Sequence, residues 1–287
     1  MIEHVLTSGF AQTPALHMHY AEWSRTGTPI LMLHGLSSTL HIWDLVAPQL
    51  ANTGRVVTLD QRGHGLTTQP DSGYDLDTSS DDLFAFTQAI DLLEPFWLIG
   101  HSWGAAVALN TATRYPAQVR GLVLVDGGVT DLKQWFPTWA EAETRLAPPS
   151  LSHLSLDALR TGMRERWLHT AWSPAVEAAA MHGFSADADG NAQRRLSLAN
   201  HMKIVKSLWA FTPAEHFPNV HCPVLIAPAR GHFDPTREQA RTESVQAAAK
   251  SLAHVRTEIA WFDDTIHDIP WHRPAELSQA ISTFIRN

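Results

Sequence analysis

Short apolar runs of strand length alternate along this chain with amphipathic stretches of helix length. Ile30-Leu31-Met32-Leu33 predicts a buried strand, and residues 43–50 follow it with helical spacing. Arg55-Val56-Val57-Thr58-Leu59-Asp60 predicts a second strand, followed by a loop rich in Gly, Thr and Asp. Residues 77–93 place Leu83, Phe86, Ile90 and Leu93 on one helix face. Phe96-Trp97-Leu98-Ile99-Gly100 reads as a strand, residues 105–115 as a helix stopped by Pro116, and Leu122-Val123-Leu124-Val125-Asp126 as another strand. From Thr130 to about Pro218 the rhythm changes. Trp135, Trp139, Trp167, Trp172 and Trp209 lie there among helical patterns, with no β-branched strand run between them. The alternation resumes with Val224-Leu225-Ile226-Ala227, a helix over 239–252, a strand over 257–262 and a last helix from Pro274 to Arg286.

Such alternation builds a mostly parallel sheet covered by helices on both faces, so the fold class is α/β. The expected domains are a core of residues 1–129 and 219–287, and a helical lid of residues 130–218. The lid would lie over the C-terminal edge of the strands, where α/β proteins form their sites. No repeat or low-complexity segment interrupts this organisation.

Composition narrows the function. The 287 residues carry 21 Lys and Arg against 29 Asp and Glu, a net charge of −8. Phosphate binding needs clustered cations, and here no basic run exceeds Arg194-Arg195, so no nucleic-acid partner is expected. With 44% hydrophobic and 17% charged residues, the chain can bury a core. The single cysteine, Cys222, excludes an internal disulfide framework and a Cys-based metal site. The start of the chain lacks a basic segment followed by an apolar one, and no apolar run approaches the ~20 residues of a membrane span. A cytoplasmic location, a small-molecule substrate and no membrane span are the expectations. Oligomeric state is not legible.

Candidate chemistry centres on Gly100-His101-Ser102-Trp103-Gly104, a G-x-S-x-G pattern with an apolar strand before it and a helix-forming run after it. That setting thrusts a Ser hydroxyl out of a tight turn; the plain alternative is a Gly-rich turn whose Ser caps a helix. A hydroxyl needs a base to become a nucleophile. Of 17 histidines, His267 stands in the loop between the last strand and the last helix, which returns to the nucleophile's edge of the sheet. The imidazole in turn needs a carboxylate. Asp234, after the strand ending at Ala227, is preferred. Asp126, at the end of the preceding strand, is the alternative acid, with Asp263 and Asp264 behind it. Oxyanion donors are expected from the backbone N–H of Trp103 and from that of Leu36, in the loop His34-Gly35-Leu36-Ser37-Ser38.

These residues resemble the α/β-hydrolase family, in its lidded serine-hydrolase branch (esterase- and lactonase-like). The resemblance rests on Leu33-His34-Gly35, Asp60-Gln61-Arg62-Gly63-His64-Gly65, the Ser102 turn, Val123-Leu124-Val125-Asp126, and His267-Asp268-Ile269-Pro270 through Arg273-Pro274, and it covers residues 16–284. It implies an eight-stranded sheet with the lid inserted after strand 6, an order Ser102, Asp234, His267, and no cofactor. One feature departs from the family: the usual Gly-x-x-Asp turn is replaced by Pro228-Ala229-Arg230-Gly231-His232-Phe233-Asp234, which puts the acid in question.

The reading is a serine hydrolase of a small or medium, largely apolar carboxylic ester or lactone. Relatives with an Asp nucleophile are disfavoured by Ser102. A carbon–carbon bond hydrolase, a perhydrolase and a non-catalytic ligand-binding module of the same fold stand as alternatives. Trp135, Trp139 and Trp209 are pocket candidates, each equally able to pack lid against core. His101 is expected to pack beneath the turn, and Arg62 and His64 to hold a loop by hydrogen bonds. His17 and His19 share a strand face but lack a third ligand, so they read as surface residues and no metal site is expected.

Overall fold

Strand burial in this protein follows from the side-chain period of two. In the computed structural model, which describes residues 7–151, 153–167, 170–231 and 234–287, alternate residues of each central strand enter opposite cores. The elements run β1 (Thr7–Gln12), β2 (His17–Glu22), β3 (Pro29–Leu33), α1 (Ala47–Leu50), β4 (Arg55–Leu59), α2 (Leu76–Ala89), β5 (Phe96–His101), α3 (Trp103–Arg114) and β6 (Val119–Val125). An insertion follows, with α4 (Trp139–Leu146), α5 (Leu156–Gly162), α6 (Pro174–Met181), β7 (Phe184–Ala186), β8 (Ala192–Arg194) and α7 (Leu198–Ala210). The chain closes with β9 (Val224–Ala227), β10 (Ala229–Arg230), α8 (Pro235–Ser251), β11 (Thr257–Ile259), β12 (Phe262–Asp263), α9 (Ile269–His272) and α10 (Pro274–Arg286).

Eight strands form one sheet in the order β1-β2-β4-β3-β5-β6-β9-β11, parallel from β4 through β11 and antiparallel at the β1-β2 edge. This is the expected fold. On one face Leu31, Leu33, Leu98, Leu122 and Ile226 meet Phe86 of α2, Val107 of α3 and Val245 of α8. On the other, Ile30, Met32, Ile99, Val123 and Leu225 meet Trp43, Leu50 of α1 and Phe284 of α10. Burying a side chain of this size typically contributes about 1.5–3 kcal/mol, so both faces act as cores and the sheet between them is held rigid.

Two expectations change. The insertion contains a small antiparallel hairpin, β7-β8, built from Phe184-Ser185-Ala186 and Ala192-Gln193-Arg194. None of these is β-branched, so strand propensity could not reveal it. The stretch 257–262 is not one strand either: β11 pairs with β9, and β12 pairs with β10 in a separate two-stranded ladder. Trp167, named with the insertion's tryptophans, and His232-Phe233 before Asp234 have side chains outside the described ones, as does the chain start before Thr7.

Candidate active site

The C-terminal ends of β3, β5, β6 and β9 bring four loops to one edge, and β5 ends in the sharpest bend. Ser102 has φ 55° and ψ −120°, a left-handed conformation that a residue with a β-carbon adopts only at a cost. The bend is anchored by the Ser102 N–H, which donates to Val125 O at 2.9 Å. Its flanking glycines are required by close approach: a β-carbon on Gly100 would lie 2.2 Å from Gly104 O, and one on Gly104 would lie 2.5 Å from His34 O. Ser102 therefore stands at the start of α3 with its hydroxyl clear of the sheet.

His267 arrives from the far end of the chain. Its Nε2 accepts the Ser102 hydroxyl at 2.9 Å, and its Nδ1 donates to Asp126 Oδ2 at 2.5 Å. The loop is held by His101, whose Nε2 donates to His267 O at 3.0 Å. His101 thus lies beneath the turn as expected, and it also carries a backbone contact to the base. Burial and the facing His267 push His101 down to about 4, so it stays neutral and keeps that donor.

Asp126 replaces Asp234 as the carboxylate on His267. Asp234 is the N-cap of α8: its Oδ1 accepts the Arg237 N–H at 3.1 Å, and its side chain is 58% exposed. The reason is local. After β9 the chain adds β10, pairs it with β12, and runs on through Gly231 before the Asp-Pro that opens α8. The added length carries Asp234 to the surface. Asp126 directly follows β6, the strand beside the nucleophile's own, and its side chain is fully buried. Besides His267 it accepts the Ala229 N–H at 2.8 Å and the Arg241 guanidinium. Burial alone would raise its pKa, but the His267 hydrogen bond, then the charges of His267 and Arg241, outweigh it and bring it to about 2. It is ionised throughout the neutral range.

Sequence reasoning missed Arg241. It lies within α8 and is buried against Asp126, an ion pair across residues far apart in the chain. The signal was an Arg in an otherwise Ala-rich helix, indistinguishable by pattern from its solvent-facing neighbours. The pKa of His267 reflects these groups. Burial disfavours its cation, but the Asp126 hydrogen bond and charge, with Asp268, lift it above the ordinary 6.5, while Arg241 pulls it down. The ring is deep in the cleft yet open to water over 41% of its side chain, so burial opposes the charge only in part. A base must be neutral to accept a proton. Any turnover that uses this base should therefore fall as pH drops through a value above 6.5, and Arg241→Gln should move that acid limb to still higher pH. A kcat/KM profile of both forms, with Tm as a folding control, checks the direction.

The expected oxyanion donors belong to two different elements. The N–H of Trp103 opens α3, and Leu36 lies in the loop after β3. That loop is braced from below: His64 Nε2 accepts the Ser37 N–H at 3.1 Å while its Nδ1 donates to Arg62 O at 2.9 Å. Arg62 itself forks onto Asp82 at 2.6 and 2.7 Å, so both residues hold loops as expected. His19 departs from expectation. It is buried and donates from Nδ1 to Asp60 Oδ2 at 2.7 Å, because β2 lies inside the sheet against β4; His17, two residues away, is exposed. Among the described residues no group of three or more His, Cys, Asp or Glu side chains is placed to hold a metal ion. Nor is any described helix long and apolar enough to cross a membrane.

A cavity of about 130 Å³ opens beside Ser102 and His267, with walls from Trp103, Leu124, Val129, Ile226 and Val245. The insertion contributes Leu132, Trp135 and Leu208 to it. Of the three tryptophans expected there, only Trp135 lines it. Trp139 and Trp209 face each other with ring centroids 6.0 Å apart, and Trp209 donates to Phe136 O at 2.7 Å, so they pack α4 against α7. Both flanking elements are amphipathic, and pairing the rings buries more apolar surface than lining a cavity would.

Known proteins share this architecture. A family model described as the alpha/beta hydrolase fold matches residues 28–164. An N-formylmaleamate deformylase of Pseudomonas putida is 28% identical over 183 residues, 60% of this chain and 68% of that protein. A dihydrolipoyllysine-residue acetyltransferase component of an acetoin cleaving system, also from Pseudomonas putida, is 33% identical over 221 residues, 72% of this chain and 59% of that protein. The solved structure of an E-2-(acetamidomethylene)succinate hydrolase superposes with a TM-score of 0.81 at 21% identity, covering 99% of this chain and all of the other. Sheet order, helix placement and these likenesses define the α/β-hydrolase fold.

Proposed function

We propose that the protein is a serine hydrolase of small or medium, largely apolar carboxylic esters or lactones. Ser102 Oγ attacks the carbonyl carbon and His267 Nε2 takes its proton. The N–H groups of Leu36 and Trp103 hold the oxyanion, and the tetrahedral intermediate collapses to an acyl-enzyme as His267 protonates the leaving oxygen. Water then attacks the acyl group by the same route, returning the acid and free Ser102. Asp126 holds His267 in the tautomer that leaves Nε2 free, and it stabilises the imidazolium. The observation that carries this reading is the Ser102–His267–Asp126 chain of contacts, at 2.9 and 2.5 Å, at a strained turn.

In this reading residues 130–218 act as a lid on the core formed by 1–129 and 219–287. Support comes from Leu132, Trp135 and Leu208, which close the cavity over Ser102. A cavity near 130 Å³ suits a short apolar group rather than a long acyl chain. A panel of p-nitrophenyl esters and lactones of graded length tests the proposal. The expected result is repeated turnover with a preference for short acyl groups. A single burst without turnover would favour the ligand-binding module instead. The deformylase relative favours one further reading, cleavage of an acyl–nitrogen bond by the same steps. Including N-acyl compounds in the panel separates the two.

A further inference from the structure

A second cavity, of about 280 Å³, lies between the Leu36 loop and the insertion. It abuts the site through two residues. Leu36 follows Gly35, where a β-carbon would stand 2.9 Å from Ser102 Cβ, and Asp268 follows His267. Its polar lining comes from Ser37, Ser38, Thr39, Arg194, His201 and Asp268.

Arg194 is the unusual member. It ends β8 of the insertion's hairpin and is only partly exposed. Its Nη1 donates to Pro149 O at 2.9 Å, and among the described residues no carboxylate lies within 4 Å of it. Arg62, Arg55 and Arg241, by contrast, each have an acidic partner, in Asp82, Glu22 and Asp126. A guanidinium has five N–H donors in a fixed fork that matches a carboxylate edge to edge, and desolvating it without an anion is unfavourable. His201 does not compete for the role. Its Nδ1 is bonded to Ser37 Oγ at 2.7 Å, and burial with the nearby Arg194 charge keeps it neutral. Asp268 is the cavity's anion, on the His267 side and 3.9 Å from His101. An anionic group would be repelled there and drawn to the Arg194 wall.

We propose that Arg194 and this cavity form a carboxylate subsite, so that the preferred substrates carry a carboxylate on the arm remote from the apolar group. The inference rests on the hydrolase reading for its orientation, since the scissile carbonyl must sit between the two cavities. The test compares monoethyl succinate, glutarate and adipate with neutral ethyl esters of matched length. The wild type should show a kcat/KM at least tenfold higher for the charged member of its best-matched pair. Arg194→Gln should lower that charged-to-neutral ratio by about 10–100-fold, the range for losing a charge-assisted hydrogen bond. Arg194→Lys should retain part of it, and melting curves confirm that each variant folds. A wild-type ratio at or below one, or a ratio unmoved by Arg194→Gln, overturns the proposal. Calorimetric binding of monoethyl succinate to Ser102→Ala, with and without Arg194→Gln, reads the subsite without turnover. Binding lost with Arg194 but no ester hydrolysis by the wild type would keep the subsite and sink the hydrolase reading. Binding unaffected by Arg194→Gln sinks the subsite alone.

Discussion

Replacing Ser102 with Ala is expected to abolish ester turnover while the protein remains folded. Removing the nucleophile of a triad lowers kcat by about 10⁴–10⁶-fold. The fold should barely register the change. Ser and Ala both place a β-carbon at φ 55°, so the strain at the bend is the same, and the lost hydroxyl donates to His267. Initial rates on a short p-nitrophenyl ester, with circular dichroism and Tm alongside, check both halves. Residual activity above a hundredth of the parent would remove Ser102 from the mechanism.

The second large effect separates two aspartates. Asp126→Asn should cost about 10⁴-fold in kcat, since an amide cannot hold the imidazolium and favours the wrong tautomer of His267. Arg241 aggravates the loss. Its cation, now facing an uncharged partner in a buried position, is expected to lower stability as well, by about 3–5 kcal/mol. Asp234→Asn should leave turnover within about twofold, because Asn caps a helix as well as Asp does. Asp234→Ala should cost about 1 kcal/mol of stability through the lost cap, with activity retained at temperatures well below Tm. Rates and melting curves for the three variants decide the matter. The reverse ranking of Asp126 and Asp234 would return the acid to the loop after β9.

The contrast between these two residues marks the boundary between one-dimensional and three-dimensional information. The central parallel strands with their intervening helices, the Ser102 bend and the return of His267 to its edge were legible, since each depends on short-range features: apolar period, glycines at a tight turn, chain order. Even the insertion announced itself by the loss of strand runs after Thr130. Asp126 was visible as an acidic residue ending an apolar strand. What could not be read was that β10 and β12 would pair and lengthen the path to Asp234, because strand pairing is set by partners far off in the chain.

The same limit explains Arg241, Arg194 and His19. Each is an ordinary polar residue by local pattern, and each acquires its role from a neighbour brought in by packing: the carboxylate of Asp126, the wall of a cavity, the carboxylate of Asp60. Periodicity tells which way a residue faces relative to its own element. Only the folded chain determines what lies opposite, and electrostatic and hydrogen-bonding energies depend on that facing group. The amino-acid order alone thus pointed to the α/β architecture and to Ser102 and His267 as partners at one sheet edge. The tertiary structure decided which carboxylate serves them and where the charged walls of the site lie.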